Sequence, residues 1–553
     1  MRLPKALLPN LALLVLPLVL PLAAGVSVRF VGLDHQVAGG DEMHAVRSAL
    51  AMPLDRILVT YRPSDNCIPL TALYRWLMDQ GLRPSELSMR APALICGVLL
   101  LVVAPAWILR RLDLRPAVIT TWLLALCPAL VYYSRLIRSY SPIVFLSFCA
   151  VVAFDSWMRR RNLSSAAIYV VSGTLATYFH LVAAPLIFSP LVFVGLARLA
   201  GIRGMPSWRA IFWLLGVLIG SHLGFLLPAI DSVVELVMLK HETLDLNSDT
   251  WLGILVLWSG SGSPLLSVVF LLLSAKGLVS LYLRDRLLAA YIASLLVGHT
   301  VGLLILSPKA MHQATILHRY MLVLTPWVML LVALGLASRW IPRRDFADRQ
   351  FGLALALLFI AGSTATGPLR HREYLFSPFS LRPEVLLLHF GPTPETPITA
   401  EVYERMADDN PGPVVEYPWH TTWRFSKHLT AYQKSHKRKV LVAPGERLLW
   451  DDAGDLGFRN MVTPRVDDIL ASPAAYLVVH QRSEEEAALL DRQDPADKGS
   501  PLAKDREQRR KDLLRFDRQV ANRLPELIDR LGQPDGQSGG ILLWDLTRIR
   551  GQR

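Results

Sequence analysis

From Leu163 to Ala197 the chain carries no Asp, Glu, Lys or Arg. A membrane helix needs about 20 apolar residues to cross ~30 Å of hydrocarbon. This stretch is therefore far too long for one crossing and too apolar for a water-facing surface. Two spans joined by a tight turn near His180 fit it. Charge-free windows of about 16–25 residues recur along the first two thirds of the chain. They predict eleven spans, at roughly 8–30, 90–110, 116–134, 140–157, 164–179, 182–198, 210–229, 264–283, 287–307, 319–338 and 351–368. With 52% hydrophobic and 19% charged residues, the composition is that of a polytopic membrane protein.

The formal charge of +13 excludes less than it first suggests. From residue 368 onward 28 basic residues face 28 acidic ones, so the excess lies in the membrane part, with 30 basic against 17 acidic. It is concentrated in alternate connections: Arg110, Arg111 and Arg115; Arg159 to Arg161; Arg198, Arg203 and Arg209; Lys276, Arg284 and Arg286; Arg339, Arg343, Arg344 and Arg349. That bias marks the cytoplasmic side, which Arg2 and Lys5 share. It is not a nucleic-acid footprint, since no basic stripe or nucleic-acid fold accompanies it. An odd number of spans then puts the first loop, residues 31–89, and the C-terminal region outside. The N-terminal stretch from Ala6 to Val28 is about twice the length of a signal-peptide apolar core and is read as a retained first helix. Arg-rich, Ala- and Leu-rich usage points to a bacterial inner membrane, with the N-terminus cytoplasmic and the C-terminal domain periplasmic.

The first loop carries an acidic pair, Asp41 and Glu42, in GGDEMHAV, and a second acidic site, Asp65, in YRPSDNCIPL. Acidic groups close to hydrocarbon are costly and need a reason to be there. A carboxylate near an acceptor hydroxyl can act as general base, and two or three in one site can hold a divalent cation. A single acidic loop residue ordinarily just faces water. Two acidic sites flanking one amphipathic segment favour a functional role. AVRSALAMPL and CIPLTALYRWLMDQGL predict two short helices lying along the interface, with Tyr74 and Trp76 at headgroup level.

Cations and aromatics recur at the outer ends of later spans. They are Arg135, Arg138 and Tyr140 in YYSRLIRSYSP, Tyr178 and His180 in TYFHL, Lys240 and His241, and Lys309, His312, His318, Arg319 and Tyr320 in SPKAMHQATILHRYM. Outer loops are normally poor in Lys and Arg, so cations there suit an anionic ligand such as a lipid phosphate. Interfacial anchoring is the plainer account of many such residues. It is preferred for Arg135; for Arg138 and Arg319 chemistry alone leaves the two readings level. His180 at a helix turn reads first as a hydrogen-bonded structural residue.

The C-terminal region, 369–553, reads as a soluble α/β domain. VVEYP, KVLVAP, AAYLVVH and GGILLWDL are short strands, 491–503 a linker, and 505–531 a helix of mixed charge. Cys67, Cys96, Cys127 and Cys149 form no disulfide framework or zinc spacing. No phosphate loop, dinucleotide fingerprint or serine elbow is present, so a soluble nucleotide cofactor is not indicated.

The ordered motifs resemble the GT-C superfamily of membrane glycosyltransferases. The resemblance is strongest to the bacterial branch related to dolichyl-phosphate-mannose protein mannosyltransferases and lipid A aminoarabinose transferases. It rests on GGDEMHAVRSAL, DNCIPLTALYRWL, ELSMRAPALICGVLLLV, ALVYYSRLIRSYSPIVFLS, LATYFHLVAAPL and HRYMLVLTPWVMLLVALGLA, six weak motifs in family order over residues 1–340. The fold implied is a GT-C-like transmembrane domain over 1–368 with an extracytoplasmic α/β domain over 369–553. The function implied is inverting transfer of a hexosyl or pentosyl group from a polyprenyl-phosphate donor to a glycan, lipid or protein acceptor. Asp41 would be the base and Asp65 its assistant, by positioning the acceptor or coordinating a cation. Arg138 and Arg319 would bind the lipid phosphate. Glu42, Tyr140 and His180 would orient sugar or phosphate, and Tyr320 belongs to the same donor site. Cys67 and Ile68 stand where the family has His or Asn and Pro, a departure that touches the second acidic site. The family is divided on metal dependence, and the divalent cation stays an open option. Two other classes compete: a polyprenyl-lipid or glycan transporter, which would need polar residues in mid-span or paired broken helices, and a non-catalytic envelope polysaccharide assembly protein, in which Asp41 would be dispensable.

Overall fold

The computed structural model describes residues 8–31, 33, 42–62, 67–81, 86–243, 246–261, 263–338, 345–367 and 369, and in the C-terminal part 402, 406, 412, 414–417, 440–441, 466–480, 520–538 and 541–552. Asp41, Asp65 and the expected 491–503 linker lie outside the described residues. Two compact units form, Met1–Asp34 with His44–Pro383 and His35–Met43 with Glu384–Arg553.

In the first unit helices occupy every one of the eleven apolar windows. Helix α1 (Leu8–Phe30) fills the first. Three short helices follow, α2 (Met43–Ala51), α3 (Leu54–Leu58) and α4 (Ile68–Asp79). The expected count was two. Pro53 divides the first, because it lacks an amide hydrogen and disfavours helical geometry at Met52. Tyr74, expected at headgroup level, is instead fully buried, and its hydroxyl donates to the Met89 carbonyl at 2.6 Å; Trp76 is exposed. The third window is broken, as α6 and α7 below. The stretch expected as an outer loop after residue 229 is itself helical.

After α5 (Glu86–Arg111) come α6 (Leu114–Ala125), α7 (Pro128–Ser134), α8 (Tyr140–Arg160), α9 (Leu163–Phe179), α10 (Ala184–Leu199), α11 (Trp208–Leu226), α12 (Ile230–Lys240) and α13 (Ser248–Ser259). The bundle is completed by α14 (Pro264–Arg284), α15 (Arg286–Leu306), α16 (Ala314–Met321), α17 (Thr325–Ala337) and α18 (Asp345–Thr366). Among the described residues, seven helical segments are long and apolar enough to cross a membrane, an eighth if α6 and α7 count as one. Pro17–Phe30, Leu163–Phe179 and Ala354–Thr366 are apolar but shorter.

Helix α17, TPWVMLLVALGLA, is apolar on every side, as a helix at the centre of a bundle must be. All its residues from Thr325 to Leu336 are buried. Trp327 stacks on Phe148 of α8, with ring centroids 5.0 Å apart. Against α14 the backbones themselves touch. A Cβ on Gly277 would lie 1.8 Å from the Leu331 carbonyl oxygen, and one on Gly335 would lie 2.1 Å from that of Leu273. Small residues at such a crossing let two helices approach closely where lipid offers no hydrophobic drive.

At the C-terminal end of α8 an ion network ties three helix ends together. Arg159 pairs with Asp155 at 2.8 Å and with Asp285 at 3.2 Å, and Arg111 reaches Asp285 at 2.5 Å and Asp155 at 3.4 Å. Asp285 also caps α15 by accepting from the Leu288 amide.

The second unit holds a five-stranded sheet of order β2-β1-β3-β5-β4, from β1 (Val414–Tyr417), β2 (Val440–Leu441), β3 (Tyr476–His480), β4 (Gly536–Ser538) and β5 (Ile541–Asp545). β1 pairs parallel with β2 and β3, and β5 antiparallel with β3 and β4. Side chains alternate between two cores, as the strand period requires. Val415, Leu477, Val479, Leu542 and Trp544 pack with Val466 and Ile469 of α19 (Val466–Ala471), with Val520, Leu527 and Leu531 of α20 (residues 520–531), and with Leu546 and Ile549 of α21 (Leu546–Gly551). Val414, Tyr476, Val478, Ile541 and Leu543 face Val402 and Met406. The four expected strands are present. β4, with the sequence GQS, has no apolar residue to announce it.

Two outcomes follow. Gly277→Ala lowers thermal stability in detergent by about 1–3 kcal/mol through overpacking, whereas Gly216→Ala, with open space around it, leaves it unchanged or slightly higher. For Asp285, burial raises the carboxyl pKa, but the Leu288 amide, Arg159 and Arg111 outweigh it and hold the value below the ordinary one. A lowered carboxylate pKa contributes stability that is complete above the unfolded value of about 4 and fades as pH falls through the folded one. Unfolding midpoints measured from pH 7 downward fall below pH 4 in the wild type, and Asp285→Asn flattens that fall.

Candidate functional site: a cationic cluster at one end of the bundle

The site is built on a broken span. Helices α6 and α7 bend by 60° at Leu126–Cys127, because Pro128 opens α7 and cannot continue α6. A break at membrane depth frees backbone carbonyls that lipid cannot satisfy. Arg29 of α1, fully buried, takes them: Nη1 donates to the Ala125 carbonyl at 3.1 Å and to Gly25 at 2.8 Å, and Nη2 to Leu124 at 3.3 Å. Gly260, in the left-handed region at φ 66°, packs on Pro128, where a Cβ would come within 2.7 Å. Just beyond α7, Arg135 returns the favour by donating to the Val28 and Val31 carbonyls at the end of α1, at 3.1 and 2.7 Å. Interfacial anchoring was preferred for Arg135 from sequence, but the residue is fully buried and bonded to the end of α1.

The turn that follows delivers Arg138 and Tyr140, the first residue of α8. The Arg138 guanidinium lies 5.8 Å from the Tyr140 ring centroid, and that of Arg319, from α16, lies 5.5 Å from the same ring. Arg319 Nη1 also donates to the Tyr140 hydroxyl at 3.3 Å. Tyr133 packs edge-on to Tyr140 at 4.9 Å. His180, in the turn between α9 and α10, lies 5.8 Å from Tyr140 and 6.2 Å from Tyr320, ring to ring. Its Nδ1 accepts from the Val182 amide at 3.3 Å, which leaves the proton of the neutral ring on Nε2. Burial, then the charges of Arg138, Lys240 and Arg319, push the His180 imidazole down to about 3. At neutral pH it is an uncharged donor set among cations.

Of the residues expected from sequence, Arg138, Tyr140, His180, Arg319 and Tyr320 come together here. Glu42 is buried and belongs to the second compact unit. Residues near Asp65 in sequence lead toward the cluster: the Tyr61 hydroxyl donates to the Tyr178 carbonyl at 3.0 Å, and Tyr61, Ile68 and Tyr178 share one buried cluster, two residues from His180. Among the described residues no group of three His, Cys, Asp or Glu side chains forms a metal-binding set.

The sequence reading missed Arg29, and it named Lys240 only among the outer cations that suit an anionic ligand. The signal for Arg29 was its charge at the end of an otherwise charge-free span, a placement that calls for a partner. Arg29→Met leaves the carbonyls at the break unsatisfied, so it lowers stability by about 2–5 kcal/mol, read as a fall in the melting temperature in detergent.

A comparison with solved structures finds several that are similar to the chain. These include ArnT from Cupriavidus metallidurans bound to undecaprenyl phosphate, with 14% identity, a TM-score of 0.48, and 86% of this chain and 95% of that one covered. The same protein in the apo state has 14% identity and a TM-score of 0.49, with 86% and 94% covered. The archaeal oligosaccharyltransferase AglB from Archaeoglobus fulgidus, in complex with an inhibitory peptide and a dolichol-phosphate, has 13% identity and a TM-score of 0.44, with 85% and 70% covered. No family model matches the chain, and no curated protein matches it.

Proposed function

We propose that this chain is an integral-membrane glycosyltransferase that moves a sugar, with inversion, from a polyprenyl-phosphate carrier to an acceptor at the outer face of a bacterial inner membrane. The observation that carries the reading is the pair of guanidiniums, Arg138 and Arg319, gathered on one tyrosine ring at the end of an apolar bundle. Guanidinium forks match phosphate oxygens, and the end of a span is where a lipid headgroup lies.

In this reading the acceptor hydroxyl attacks the anomeric carbon while the bond from that carbon to the phosphate oxygen breaks. The phosphate leaves with the electron pair, and Arg138 and Arg319 stabilise the charge it gains. Asp41 takes the hydroxyl proton. Asp65 positions the acceptor or a cation. His180 donates from Nε2 without adding charge, while Tyr140, Tyr320 and Glu42 orient sugar and phosphate. The sugar is a hexosyl or pentosyl group, and the acceptor a glycan, lipid or protein.

The broken α6–α7 span is a feature that transport would use. Here Arg29 already donates to the carbonyls at the break, and its positive charge there disfavours a cationic cargo. That weighs against the transport reading.

The test is acceptor-dependent sugar release from a panel of radiolabelled polyprenyl-phosphate sugars by the purified protein. Asp41→Asn is expected to lose about 10²–10⁴-fold in turnover with donor binding retained, and Arg319→Ala to lose donor binding. Equal turnover in Asp41→Asn and wild type would remove the base assignment. Absence of donor binding across the panel would remove the transferase reading.

A further inference from the structure

Among the described residues, non-glycine residues in the left-handed region are Arg161, Ser307 and Ala310. Ser307 (φ 41°) and Ala310 (φ 64°) lie within four positions of each other, in the connection between α15 and α16. Residues with a Cβ keep such conformations only where their surroundings enforce them.

The enforcing group is Glu242, two residues past the end of α12. Its carboxylate Oε2 accepts from the Ala310 amide at 2.6 Å. Its own amide donates to the Ser307 carbonyl at 3.0 Å, and its carbonyl accepts from the Ser307 hydroxyl. The neighbours extend the clamp. His241 pairs with Pro308 in an antiparallel bridge, and the Lys309 amide donates to the Lys240 carbonyl at 2.6 Å. From the other side the Thr250 hydroxyl donates to the His312 carbonyl at 2.6 Å. Beyond this strap begins α16, which carries Arg319 and Tyr320. Before it ends α12, which carries Lys240, whose charge acts on His180.

We infer that Glu242 is a positioning residue for the cationic site. By bridging the end of α12 to the strained strap before α16, it holds Lys240 and Arg319 in fixed register and makes Lys240 a third contact for the phosphate group. The inference rests on the reading of this cluster as a phosphate site. It assigns the role to the reach of the Glu242 side chain rather than to its charge, because the bond that matters is the one accepted from a backbone amide.

Two conservative variants separate reach from charge. Glu242→Gln keeps an oxygen at the same distance and loses the charge; Glu242→Asp keeps the charge and falls short of Ala310. The probe is farnesyl monophosphate, titrated against the full-length protein in nanodiscs, with the melting temperature measured alongside. Glu242→Gln is expected to bind like wild type. Glu242→Asp and Lys240→Ala are each expected to weaken binding roughly ten-fold, the scale of one charge-assisted contact. The double variant Glu242→Asp/Lys240→Ala should bind no more weakly than Lys240→Ala alone, since one residue acts through the other. Additive losses, a weakened Gln variant beside an intact Asp variant, or a lower melting temperature with unchanged affinity in Glu242→Asp would each overturn the role of Glu242. Binding by wild type that Arg319→Ala abolishes and Glu242→Asp leaves intact overturns this inference alone. No binding by wild type overturns the phosphate reading and this inference with it.

Discussion

A backbone carbonyl inside a membrane must find a donor, and at the α6–α7 break that donor is Arg29. The remainder of the site depends on this one arrangement. Without the bend, α7 would continue along the axis of α6, and the turn from Arg135 to Ser139 would leave the bundle in a different direction. With it, Tyr133, Arg138 and Tyr140 arrive beside His180 and Arg319. Arg29 and Arg135 are reciprocal: each caps the helix that leads away from the other. Two guanidiniums are buried, and each donates to backbone carbonyl oxygens.

Much of this architecture was legible because hydrophobic length is a one-dimensional signal. The apolar windows announce their helices directly, and even the long run around His180 resolves into two segments. The strands at Val414, Tyr476 and Ile541 were legible for a related reason, since buried β-branched and leucine-rich runs bounded by Pro or Gly have few other homes. The cluster of Arg138, Tyr140, His180 and Arg319 was legible as chemistry, since cations at the wrong ends of spans call for an explanation. What sequence could not supply was depth and partner. Tyr74 has the composition of an interfacial residue and is buried against Met89. Glu242 looks like any acidic residue in a polar connection, and its role depends on a backbone sixty-eight positions away. Helix α12 was hidden because Asp231, Glu235 and Lys240 interrupt its apolar residues, and α13 because it shares one charge-free stretch, Thr250 to Ala275, with the start of α14.

The two ends of α8 divide the labour of the bundle. Its first residue, Tyr140, presents a ring to both guanidiniums, and its last turn is held by Asp155, Arg159, Arg111 and Asp285. Twenty-one residues separate them by about 30 Å, so the network anchors the helix at the end far from the site. The close crossing at Gly277 and Gly335 and the all-apolar α17 give the same helix a rigid backing, with Trp327 stacked on Phe148.

Lys240 ends the segment Trp208–Lys240, whose apolar stretch is mostly left outside the protein interior, with 22% of it buried. At 33 residues it is about 50 Å long, well beyond the ~30 Å of hydrocarbon it has to match. A segment so long, made of α11 and α12 in succession, meets a bilayer shorter than itself and has to accommodate the difference by tilting or bending. Lys240 rides on its tip. If Glu242 positions Lys240 as inferred, bilayer thickness would enter the geometry of the cationic cluster, and the strap clamped by Glu242 would be the tether that limits how far a thinner or thicker membrane carries that lysine from Arg319.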